Sequence, residues 1–123
     1  MIYIAEIQKT YAMVIGAVLV LLGLLGFFMA PLILGIFGVN TAQNILHLVG
    51  GAAILWFAYQ GSGKTTNMWV GIVALLVGVL WFIPGTGGDS GLLNGIFGIN
   101  AAISYLHVAV GLVSLGVSYG VKE

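Results

Sequence analysis

Tyrosines aside, His47 and His107 are the only ionisable side chains inside the long apolar runs of this chain. Each lies in a polar stripe with helical spacing. Asn40, Asn44, His47 and Gly51 are separated by four, three and four residues. Asn100, Ser104, His107, Gly111, Ser114 and Ser118 extend the same pattern further. Such spacing stacks side chains along one helical face. Imidazoles presented by adjacent helices can ligate haem iron or a divalent metal, so haem b or a metal held by His47 and His107 is one expectation. The plainer expectation has no cofactor. Each neutral imidazole then bonds an Asn, a Ser or a backbone carbonyl across a helix interface, worth about 0.6–2 kcal/mol. A proton or ion path is a third, although no carboxylate accompanies the histidines, since Glu6, Asp89 and Glu123 lie at ends or in loops.

The two stripes belong to a repeated motif. Gly35-Ile36-Phe37-Gly38-Val39-Asn40 returns as Gly95-Ile96-Phe97-Gly98-Ile99-Asn100, and the offset of 60 holds without a gap to Gly51 and Gly111. Nine of the seventeen aligned positions are identical, too many for a composition merely rich in Gly and Leu. Met13, Gly16 and Gly23 correspond to Met68, Gly71 and Gly78 at an offset of 55, and the Gly85–Ser90 segment accounts for the difference. The sequence therefore predicts a duplicated unit.

What holds these residues is set by composition. The chain is 61% hydrophobic and 5% charged, where a soluble domain carries roughly 25% charge, so little water-facing surface can be built. The expectation is an all-α integral membrane protein of a single domain, its spans each needing about 20 apolar residues. Four helices fit: Lys9–Ala30, Asn40 or Thr41–Tyr59, Thr66–Ile83 and Asn100–Tyr119. The breaks fall at Pro31, at Gly61-Ser62-Gly63 and at Pro84-Gly85, with Gly120 a C-cap. Asn40 and Asn100 are good N-caps. The first run is too long for a secretory h-region and no A-x-A-like cleavage site follows, so it reads as a retained helix. Each unit is then a helix hairpin (9–60 and 64–120), and the two are parallel, related by an axis along the membrane normal.

Lys9, Lys64 and Lys122 fall on one side of such a bundle, and Asp89 on the other. By the positive-inside rule both termini are cytoplasmic, in a multi-pass protein of the cell membrane. Tyr3, Tyr11, Trp56, Tyr59, Trp69, Trp81, Phe82 and Tyr119 lie near helix ends, where aromatic belts form. Gly16 and Gly23, like Gly71 and Gly78, are seven apart on one face and allow close helix approach, within the chain or between copies.

Several functions are excluded or disfavoured. Three basic and three acidic residues leave no electrostatic footprint for nucleic acid. The absence of cysteine removes disulfides, thiolate metal sites and iron–sulfur clusters. Gly63-Lys64-Thr65 has the tail of a P-loop, but Ala58 stands where its first glycine belongs, and no strand precedes it, so no nucleotide site is expected. No Ser–His–carboxylate set or carboxylate pair has credible spacing, and no catalytic residue is assigned.

The run from Gly35 to Gly51 resembles the hallmark of a bacterial and archaeal domain-of-unknown-function family of small four-helix membrane proteins. Their signature is Asn-x-x-His-Asn-x-x-His-Leu. Asn40, Asn44, His47 and Leu48 match it, while Gln43 replaces the first histidine and the second copy carries Ile103 and Ser104 at the His-Asn pair. The resemblance implies an architecture and no activity. The sequence thus points to a non-enzymatic membrane protein with a structural or assembly role. It would be a self-assembling unit or an accessory subunit whose partners are the lipid bilayer, further copies or other membrane subunits. The rival readings are a haem- or metal-binding redox protein and an oligomeric channel or transporter.

Overall fold

A computed structural model describes residues 4–61 and 63–121. Tyr3, Ser62, Lys122 and Glu123, named above, lie outside the described residues.

Helix α1 (Ile4–Met29) opens on a polar turn with Glu6, Gln8, Lys9 and Thr10, continues as an apolar run from Tyr11, and stops ahead of Pro31. Proline supplies no N–H to continue the ladder. The glycine-punctuated stretch that follows is more ordered than a turn. Strands β1 (Leu32–Ile33) and β2 (Phe37–Gly38) pair antiparallel, Leu32 opposite Gly38 and Ile33 opposite Phe37. Asn40 is then extended, and its side-chain oxygen accepts from Gln43 N at 3.0 Å, capping α2 (Thr41–Tyr59).

Helix α3 (Gly63–Leu80) begins and ends three residues earlier than expected. Its first residue packs on the backbone of α1. A Cβ on Gly63 would stand 2.8 Å from Lys9 N, so the glycine that reads as a breaker is a packing residue. At the other end, the amides of Trp81, Phe82 and Ile83 bond three residues back, to Gly78, Val79 and Leu80, which tightens and closes the helix. The long second loop contains a helix that the sequence did not suggest, α4 (Leu92–Phe97). Gly98 ends it with φ +67°, a left-handed turn suited to glycine, and its N–H returns to Asn94 O at 2.9 Å. Asn100 caps α5 (Ala101–Gly120), accepting from Ile103 N at 3.0 Å.

Four helical segments are long and apolar enough to cross a membrane: Ile7–Met29 of α1, then α2, α3 and α5. Helix α1 packs on α2 and α3 packs on α5, with a smaller contact between α1 and α3. The four glycines at spacing seven explain the tight pairs. A Cβ on Gly16 or Gly23 would meet Gly51 O at 3.0 Å or Asn44 O at 2.9 Å. On Gly71 or Gly78 it would meet Gly111 O at 3.0 Å or Ser104 O at 2.9 Å. The contacts of the second pair thus reproduce those of the first at the sequence offsets of 55 and 60. A small apolar core of Leu93, Ile99 and Ile103 fills the loop end beneath α4, with Trp81 and Phe97 packed against it.

Candidate functional site

The loop end is held by reciprocal contacts between the two glycine motifs. Asn40 Nδ2 donates to Ile96 O at 2.8 Å, and Asn100 Nδ2 donates to Ile36 O at 2.9 Å. Asn100 Oδ1 also accepts from Gly38 N at 2.9 Å. The backbones cross where Gly38 meets Gly98, and a Cβ on Gly38 would lie 2.5 Å from Gly98 O. Gln43 adds a further tie, its Nε2 donating to Gly38 O at 3.0 Å and to Phe97 O at 2.9 Å. Sequence reasoning noted Gln43 only as a departure from a signature. The structural role was legible in principle, since a buried amide one turn after a cap needs partners.

Seven residues below each cap, about 10 Å along the helix, sit the histidines. His47 on α2 and His107 on α5 face each other with ring centres 6.3 Å apart and planes at 76°. The sequence-predicted pair is therefore brought together. The Nδ1 atoms of both are buried and have no hydrogen-bond partner among the described residues. Neither Nδ1 makes the expected bond to an Asn, a Ser or a carbonyl, because the neighbouring polar groups point elsewhere. Ser104 Oγ donates to Asn100 O at 2.9 Å. The Asn44 side chain, 1% exposed, lies over Gly26, where any Cβ would overlap its amide, and both its polar atoms are unpartnered. Trp81 and Ser104 occupy the positions corresponding to Gly26 and Asn44, so the two hairpins exchange small and large at this level.

The rest of the stripes lies inside the bundle. Gly51 and Gly111 form the tight backbone contacts described above. Ser114 pairs with the Tyr11 hydroxyl at 2.6 Å, and Ser118 Oγ donates to Lys64 O at 3.0 Å. Lys64 Nζ donates to Ser118 O at 2.6 Å, so this lysine ties α3 to α5. Tyr11 and Trp81 turn inward, unlike Trp56, Tyr59, Trp69, Phe82 and Tyr119, which are exposed.

A second polar cluster, unforeseen from sequence, seals the opposite end. Gln8 and Asn67 are fully buried. Gln8 Nε2 donates to Val117 O and Val121 O at 2.9 and 2.8 Å, and Asn67 Nδ2 donates to Gln8 Oε1 and Gln8 O at 2.9 and 3.0 Å. This joins α1, α3 and α5. The signal was an amide at position 67 inside a span, which must be paired within the protein.

No group of three or more His, Cys, Asp or Glu side chains suited to a metal occurs among the described residues. No family model, curated protein or solved structure matches the chain.

Proposed function

We propose that this is a non-enzymatic integral membrane protein with a structural or assembly role, acting as a self-assembling unit or an accessory subunit. One observation carries the reading: the four long helices are polar inside and apolar outside. Gln43, Asn44, Asn67, Ser104, Ser114 and Ser118 are buried, whereas Phe28, Val49, Trp56 and Leu112 are 58–87% exposed. Water would reverse that distribution; lipid or neighbouring membrane helices favour it.

In this reading the two hairpins are parallel repeats. The matching offsets in sequence and in glycine contacts support that relation. Lys9 and Lys64 at one end and Asp89 at the other support cytoplasmic termini in the cell membrane.

Assembly is favoured by two further glycines. A helix-interior glycine costs roughly 1 kcal/mol relative to alanine. Gly50 and Gly116 meet nothing within 4 Å, so no neighbour among the described residues explains them. They offer outward notches where another helix can approach. The test is native mass in mild detergent or nanodiscs for wild type, Gly50→Leu and Gly116→Leu. The expected result is a wild-type particle larger than one chain that loses its added mass in a variant of unchanged melting temperature. A wild-type chain that runs alone, with the variants the same, would refute the assembly role.

A further inference from the structure

We infer that His47 and His107 form a two-coordinate site for a soft monovalent d10 cation, copper(I) being the natural probe. This goes beyond the assembly role and does not depend on it.

The 6.3 Å between ring centres is the first argument. A ring nitrogen lies about 1.1 Å from its ring centre, so a direct N–H···N bond of at most about 3.2 Å spans only about 5.4 Å. The rings are too far apart to bond each other. Two metal–nitrogen bonds of about 2.0 Å laid end to end place the centres about 6.2 Å apart. The observed 6.3 Å matches one atom ligated linearly, and the 76° between the planes is accommodated as a twist about the nitrogen–metal–nitrogen line.

Ligand number is the second. Ser104 is committed to Asn100 O, Ser114 to Tyr11, and Asn44 lies against Gly26. The gap is thus flanked by two imidazoles, and no third His, Cys, Asp or Glu joins them among the described residues. Zinc takes four ligands, or three and a water. A closed-shell monovalent ion is satisfied by two imidazoles, ligands that suit copper.

Charge is the third. No carboxylate accompanies the pair among the described residues. Desolvation cost rises with the square of charge, so an uncompensated divalent ion in an apolar bundle costs about four times as much as a monovalent one.

The test uses the full chain in detergent or nanodiscs, titrated anaerobically with copper(I) against a chromophoric chelator. The chain has no cysteine, so thiolate binding cannot confound the result. We expect one copper(I) per chain, with affinity falling at least tenfold in His47→Ala and in His107→Ala. X-ray absorption on the wild type, which needs no variant to fold, is expected to give two nitrogen neighbours and no sulfur. Absence of stoichiometric binding, copper that survives both substitutions, sulfur ligation, preferential zinc uptake, or a Soret band in protein from native membranes would each overturn the inference.

Discussion

Asn40 and Asn100 each hold the other's loop. The amide of Asn40 reaches Ile96 O at 2.8 Å and that of Asn100 reaches Ile36 O at 2.9 Å, while each side-chain oxygen caps its own helix. One residue type therefore performs two tasks at once. It starts a helix locally and joins two hairpins whose motifs lie sixty residues apart. The histidines, two turns further on, are brought face to face by that junction.

The clasp is not symmetric, and this predicts an order of effects. Asn100 also accepts from Gly38 N, a bond without a counterpart at Asn40. Loss of a cap costs about 0.5–2 kcal/mol and each further hydrogen bond about 1 kcal/mol. Asn100→Ala is expected to destabilise the protein by about 3 kcal/mol, and Asn40→Ala by about 2 kcal/mol. Reversible unfolding in mixed micelles measures both. An equal or inverted order would show that the third bond contributes nothing.

At the opposite end, Gln8 and Asn67 should behave as a coupled pair. Removing one leaves the other's polar atoms buried and unsatisfied, which costs about 1–3 kcal/mol. Replacing both with apolar side chains removes that penalty. Gln8→Leu and Asn67→Leu are expected to be more damaging singly than their sum implies for the double variant. A double-mutant cycle reads the coupling directly, and strict additivity would contradict the hydrogen-bonded seal.

Much of this architecture was legible because its causes are local. Hydropathy marks the four long helices, and Asn40 and Asn100 announce their helix starts through cap chemistry that acts over three residues. The spacing of His47 and His107 within the repeated motif also placed them on corresponding faces. Other features depend on partners distant in sequence. The β1–β2 pairing and helix α4 are too short to leave a periodic signal. Gly63 reads locally as a breaker, yet it is where α3 meets α1. The reciprocal reach of Asn40 and Asn100 to Ile96 and Ile36 has no local trace, because a backbone carbonyl carries no side-chain signature. Gln8 looks like part of a polar flank until Asn67 and the end of α5 close over it.

The central claim is that four spans place the glycine motifs at one face and the lysine end at the other. Because the chain lacks cysteine, single-cysteine accessibility in intact cells tests it most directly. Thr65 and Ser90 are both exposed and suit the label. A membrane-impermeant maleimide is expected to label Ser90→Cys from outside, and Thr65→Cys only after permeabilisation. Labelling of both from the same side, or of Thr65→Cys alone in intact cells, would contradict the account.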